Sequence, residues 1–329
     1  MFVDLPEAEL RRYRSAQSAP ADFDEFWATT LAESRAVGGA VEVERVRAGL
    51  ATIEVFDVTF PGFHGQPIKA WLRLPKHRTG PLPAIVQYVG YGGGRGRPTE
   101  ELLWASAGFA HFQMDTRGQG SSWSVGDTAD PDGGGAQHPG FMTRGIGSPE
   151  TYYYRRFIAD AVLAVDAARS LPEIDAERVA VVGRSQGGGI AIAAAALADG
   201  VRAAVCSVPF LCDFPRATVI TDSPPYVEIA RYLAVHRDAI ATAHATLSYI
   251  DGVNFAKRAT VPGWFSAGLM DTTCPPSTVF AAFAEWGGPK EISVWPYNGH
   301  EGGGADEARA VVASLHELFG MDADAADAS

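Results

Sequence analysis

The sequence predicts an α/β fold with a mostly parallel central sheet flanked by helices, and three observations carry that prediction. From residue 84 onward, continuous apolar runs alternate with helical stretches, as strands buried on both faces require. Residues 41–74 instead alternate apolar and polar positions in three runs, broken at Gly49 and at 61–67, which predicts N-terminal antiparallel strands. Between the apolar run 179–182 and a small-residue helix over 188–196 sits Gly183-Arg184-Ser185-Gln186-Gly187, a sharp strand-to-helix turn.

Each element follows from its local pattern. Residues 22–35 place Phe23, Phe26, Trp27 and Leu31 on one face of an amphipathic helix. The runs 84–89, 109–114, 179–182, 203–208, 263–267 and 292–295 read as core strands, and 152–170 and 275–286 as crossover helices. Residues 210–260, rich in Pro, Tyr and His, interrupt the alternation and read as an insertion covering the site. The whole chain, 1–329, reads as one domain: helix and meander over about 20–75, the insertion, and a frayed tail from 322 to 329.

Composition excludes several classes of partner. A net charge of −12 argues against nucleic acid and anionic membrane surfaces, both of which need a basic patch. No apolar run reaches the roughly 18 residues of a membrane span. Cys206, Cys212 and Cys274 have no metal-ligand spacing and suit a reducing compartment. The first residues carry acids where a signal peptide would carry an apolar core, so a cytoplasmic protein is expected.

The turn at Ser185 points to chemistry. Any glycine-rich turn matches five residues by chance, but here a strand precedes and a helix follows, the context of the α/β-hydrolase nucleophile. A serine hydroxyl needs a base, and on this fold the partners follow in the order acid, then histidine. Beyond residue 260 the sequence holds two histidines. His316 lies in the helical pattern of 308–319, whereas His300 lies in a loop straight after the strand 292–295. Asp271 follows the strand 263–267, and one helix and one strand separate it from His300. Its rivals Asp251 and Asp213 follow no convincing core strand. The predicted triad is therefore Ser185, Asp271 and His300. The backbone N–H of Gln186, next after the nucleophile, supplies one oxyanion donor. The glycine-rich stretch after the strand 84–89 supplies the other.

These residues carry a resemblance. The chain resembles the acetyl xylan esterase and cephalosporin-C deacetylase family of carbohydrate esterases. It shares Arg117-Gly118-Gln119, Gly183-x-Ser185-Gln186-Gly187 and His300-Glu301. It also shares Asp22 to Trp27, Tyr88-x-Gly90-Tyr91-Gly92-Gly93, and Phe141 to Gly145 followed by Tyr152 to Arg156. The resemblance implies the same triad, Tyr91 N–H as the first oxyanion donor, and a structural role for Arg117 and Gln119 in bracing the elbow. It implies a small acetylated substrate, no metal or organic cofactor, and a homohexameric ring. Arg184 departs from the small residue often found before the nucleophile, which bears on substrate preference. Trp123 and Trp264 fit either the core or the pocket wall, and the core is the default expectation for each.

Rival functions are a general short-chain carboxylesterase, a serine peptidase on the same fold, and a binding protein without catalysis. A peptidase calls for an extra recognition domain, and a binding protein for a missing triad member. Neither matches this sequence.

Overall fold

A computed structural model of the protein describes residues 2–132 and 140–321. The predicted tail over 322–329 lies outside the described residues. Among them, nine strands form one sheet: β1 (Glu42–Val46), β2 (Ile53–Pro61), β3 (Pro67–Pro75), β4 (Leu82–Tyr88), β5 (Ala110–Met114), β6 (Ile174–Arg184), β7 (Val201–Ser207), β8 (Gly263–Gly268) and β9 (Lys290–Trp295). Their order across the sheet is β1-β2-β3-β5-β4-β6-β7-β8-β9. The pairs β1–β2, β2–β3 and β3–β5 are antiparallel, and every pairing from β5 through β9 is parallel.

The helices are α1 (Glu7–Leu10), α2 (Phe23–Val37), α3 (Leu103–Ser106), α4 (Tyr153–Arg169), α5 (Gln186–Leu197), α6 (Phe214–Ile220), α7 (Tyr226–Val235), α8 (Ile240–Ser248), α9 (Gly252–Ala256), α10 (Pro276–Glu285) and α11 (Gly304–Phe319). Side chains alternate across a strand, so each core strand feeds two apolar layers. Val86 and Tyr88 of β4, Val179 and Val181 of β6, and Ala204 and Cys206 of β7 join the layer under α4 and α5. Ile85, Ala180, Val182, Ala203 and Val205 join the opposite layer, closed by Trp104 of α3 and by Leu315 and Phe319 of α11. This double burial is why the runs read as continuous apolar sequence.

The helix expected over 22–35 is α2, with Phe23, Trp27 and Leu31 buried and Phe26 only partly so. Trp27 Nε1 donates to the Tyr249 carbonyl at 2.9 Å, tying α2 to the segment between β7 and β8. That segment, anticipated as an insertion, folds as α6 to α9. Asp251 caps α9 by accepting from the Val253 N–H. Two features differ from expectation. β6 starts at Ile174 rather than at 179, through a register shift against β4. α3 is a single turn, too short for a periodic signal.

Candidate active site

The elbow is a sharp backbone turn at a non-glycine residue of positive φ. β6 ends at Arg184, α5 begins at Gln186, and Ser185 between them holds φ 57° and ψ −122°. A non-glycine residue in such geometry costs about 1–3 kcal/mol and persists only where its surroundings hold it. Here the Ser185 N–H donates to the Ser207 carbonyl at 3.0 Å, and the Ser185 carbonyl accepts from Phe210 N–H at 2.9 Å and Gly189 N–H at 3.1 Å. The flanking glycines are steric necessities. A Cβ on Gly183 would sit 2.1 Å from the Gly187 backbone, and one on Gly187 would sit 2.1 Å from the Tyr88 carbonyl oxygen.

Asp271 and His300 meet by loop pairing. Leu269 N–H donates to the Trp295 carbonyl at 3.0 Å and Met270 N–H to the Asn298 carbonyl at 3.0 Å, aligning the loops after β8 and β9. The buried Asp271 carboxylate accepts Thr273 and Cys274 N–H on Oδ1, at 2.8 and 2.9 Å. Its Oδ2 stands 2.8 Å from His300 Nδ1. That spends Nδ1 on the acid and leaves Nε2 for other partners. Glu301 turns its carboxylate back onto Asn298 Nδ2 at 2.9 Å and Gly299 N–H at 3.2 Å, stiffening the turn that presents His300. Ser185 and His300 line one cavity of about 920 Å³ together with Tyr91, Trp123, Thr273 and Pro225.

Gln119 links the two expected oxyanion donors. Its Oε1 accepts Gly92 N–H at 2.6 Å, and its Nε2 donates to Gln186 Oε1 at 2.9 Å and to Tyr153 Oη at 3.0 Å. One side chain thus fixes the loop after β4 against the start of α5. The Gln186 N–H belongs to the first turn of a helix, whose N–H groups have no intrahelical acceptor. Among the described residues, neither the Tyr91 nor the Gln186 N–H meets a backbone acceptor. Arg117 sits farther out. Its buried guanidinium donates to both Asp160 carboxylate oxygens, at 2.5 and 2.8 Å, and to Asp130 Oδ1 at 3.2 Å and Gln66 Oε1 at 2.6 Å. It joins α4 to the β2–β3 turn, while its carbonyl accepts the Tyr153 hydroxyl at 2.6 Å. Gly118 turns the chain between them at φ +68°.

The remaining candidates separate cleanly. Asp251 and Asp213 lie elsewhere: Asp251 accepts Val253, Asp213 and Phe214 N–H, and Asp213 accepts the Tyr13 hydroxyl at 2.8 Å. Burial pushes the Asp251 carboxyl up to about 7. His316 stacks on Phe109 and bonds the Ala107 carbonyl at 2.8 Å. Arg184 lines the cavity, and its Nη2 donates to the His300 carbonyl.

Trp123 corrects its expected core placement. It is 63% exposed, because its Nε1 reaches back to the Tyr91 carbonyl at 2.8 Å and holds the ring on the cavity wall. Trp264 is half-buried in the layer beneath α11.

Two residues at the site were not anticipated. Cys274 is buried beside Ser185, and burial, then the Asp271 charge, push its thiol up. The ligand atoms of Asp271, Cys274 and His300 lie within 4.8 Å of one another, but Asp271 and His300 are already engaged with each other. Glu228, on α7, accepts the Tyr91 hydroxyl. The signal for Cys274 was its place three residues after Asp271. For Glu228 no sequence signal exists, since the contact crosses from the β4 loop to the insertion.

Comparison with known proteins supplies the relationship. A family model described as acetyl xylan esterase matches residues 1–318. The chain is 38% identical to an acetyl xylan esterase from Paenibacillus sp. R4, with a TM-score of 0.89 over 95% of this chain and 99% of that one. An acetyl xylan esterase from Thermoanaerobacterium sp. JW/SL YS485 gives 34% identity and a TM-score of 0.88, over 96% and 99%. The acetyl esterase Axe7A of Xylanibacter ruminicola is 28% identical over 285 residues, 85% of this chain, and the chain spans 63% of that relative's length. An acylaminoacyl peptidase of Pyrococcus horikoshii, at 17% identity and a TM-score of 0.55, shares the fold alone.

Proposed function

The chain belongs to the acetyl xylan esterase family, and from that premise we propose that it is a serine esterase removing acetyl groups from small acetylated substrates. The observation that carries the reading is the strained Ser185 elbow sharing one cavity with a histidine already oriented by a buried carboxylate.

In this mechanism the Ser185 hydroxyl and His300 Nε2, which share the cavity, come into hydrogen-bond contact as substrate binds, since catalytic contacts commonly close only in the complex. His300 Nε2 takes the Ser185 proton as Oγ attacks the acetyl carbonyl. The N–H groups of Tyr91 and Gln186 receive the oxyanion, a donor of this kind being worth about 3–4 kcal/mol. Asp271 holds the His300 tautomer and stabilises the imidazolium. His300 then protonates the departing alcohol, and water attacks the acyl-enzyme through the same base. Arg184 lines the cavity and donates to the His300 carbonyl, a position that bears on which acetates are accepted, whether sugar acetates or cephalosporin-type acetates.

Family resemblance supports a homohexameric ring. Three free buried cysteines fit a reducing, cytoplasmic setting. Among the described residues no helix is long and apolar enough to cross a membrane.

The test is covalent. Incubation with a p-nitrophenyl alkylphosphonate, followed by intact mass and peptide mapping, is expected to place one phosphonyl adduct on Ser185. Ser185→Ala is expected to take no label, keep its fold and lose about 10⁶ in turnover, the scale seen when a triad is lost in subtilisin. A label on another residue, or more than a few per cent of wild-type rate in the variant, contradicts the assignment.

A further inference from the structure

Tyr91 is held at three points, two from the loop after β5 and one from the β7–β8 insertion. Its neighbour's N–H, at Gly92, is fixed by Gln119, and its carbonyl is fixed by Trp123. Its phenol reaches away from the sheet to the insertion, where the hydroxyl faces both carboxylate oxygens of Glu228 at 2.7 and 2.8 Å. That hydroxyl also accepts the Phe141 N–H at 2.8 Å, while Glu228 Oε2 accepts the Met142 N–H at 3.2 Å. Phe141 and Phe210 pack edge-on against the ring, with centroids 5.9 and 6.3 Å away. A Cβ on Gly140 would sit 2.1 Å from a Glu228 carboxylate oxygen, so the chain there is shaped around this acid. Burial first, and the Glu228 charge next, push the Tyr91 phenol up, so it remains an O–H donor. A short loop after a strand has few ways to hold a peptide plane at a set angle, and its side-chain anchor then decides where the N–H points.

We propose that Glu228 is a positioning residue for the oxyanion hole: through the Tyr91 phenol it fixes the Tyr91 peptide and makes the β7–β8 insertion part of the catalytic apparatus. The inference rests on the esterase reading above. On that footing the insertion is no passive cover. Whatever displaces α7 releases Tyr91 and blunts the donor before any substrate contact is lost.

The experiment compares Glu228→Ala, Glu228→Gln, Tyr91→Phe and the Glu228→Ala/Tyr91→Phe double variant in the full-length protein. Steady-state kinetics with p-nitrophenyl acetate are combined with binding of a trifluoromethyl ketone, whose Ser185 adduct places an oxyanion in the hole. Complete removal of an oxyanion donor costs about 10²–10³ in turnover, so a misaimed donor is expected to cost about 10–100-fold. Glu228→Ala and Tyr91→Phe should each show that loss in kcat with KM within about threefold, and the ketone affinity should fall in proportion. Glu228→Gln keeps an acceptor for the phenol and should recover most of the loss. The double variant should be no worse than Glu228→Ala, because both changes cut one link.

A Glu228→Ala protein with wild-type kcat, multiplicative losses in the double variant, or unchanged ketone affinity would each overturn the inference. If Glu228→Ala does not fold, Tyr91→Phe with the ketone decides alone. Ser185→Ala run in parallel separates the two readings, since activity in that variant removes the esterase premise itself.

Discussion

Asp271 and Asp251 are both buried carboxylates near the C-terminal half of the sheet, and their surroundings give them opposite work. Asp271 keeps one oxygen for His300 Nδ1 after two backbone N–H groups take the other. Asp251 spends its oxygens on three backbone N–H groups and caps α9. Asp271→Asn is therefore expected to lower kcat by up to about 10⁴ with the fold retained, the scale for the corresponding change in a serine protease. Asp251→Asn presents an amide N–H₂ to the Phe214 N–H, which should cost about 1–3 kcal/mol of stability. The kcat of its folded fraction should match wild type. Thermal melts and initial rates on the two variants check the contrast, and the reverse pattern would transfer the acid role to Asp251. At this scale the sequence was informative because each proposed role demands a residue type at a strand end. Ser185, Asp271 and His300 all satisfy that demand. Trp123 was misplaced for a physical reason: its single N–H donor found a carbonyl on the cavity wall, and an indole follows its hydrogen bond as readily as its apolar surface.

Elements position these side chains through close backbone approach. α5 is made of glycine, alanine and isoleucine over most of its length and is buried almost throughout, so it can lie directly against β4, β6 and β7. Gly187→Ala would place a methyl 2.1 Å from the Tyr88 carbonyl oxygen, a backbone atom that cannot rotate away. We expect that variant to lose about 1–3 kcal/mol of stability, as overpacked cores do. Its kcat should also fall, because any shift of α5 moves Ser185 and the Gln186 N–H together. A Gly187→Ala protein with wild-type melting temperature and rate would show that the elbow has slack. The core strands, α2, α4 and α10 were legible because burial on one or two faces imposes a period on the sequence. The early start of β6, the single-turn α3 and the internal helices of the insertion were not. Short helices covering a site carry no long period, and a register shift depends on the neighbouring strand. The Glu228–Tyr91 link belongs to the same class, a long-range contact between two segments with no pattern in common.

At the scale of the whole molecule, the proposed function makes acyl size depend on how the insertion borders the cavity at Ser185. The residues between β7 and β8 bring Pro224 and Pro225 to the wall of the cavity that Tyr91, Trp123, Ser185 and His300 also line. On the proposed deacetylase reading, an acetyl group would sit against these side chains and the leaving alcohol would face the rest of the cavity. Each added methylene on the acyl side would have to displace those side chains, a discrimination of about 1–3 kcal/mol per step. The direct measurement is kcat/KM for p-nitrophenyl acetate, propionate, butyrate and octanoate on the full-length protein. The deacetylase account predicts a steep fall from acetate to butyrate and negligible turnover of octanoate. A profile that stays flat or rises with chain length would contradict it and make the protein a general carboxylesterase.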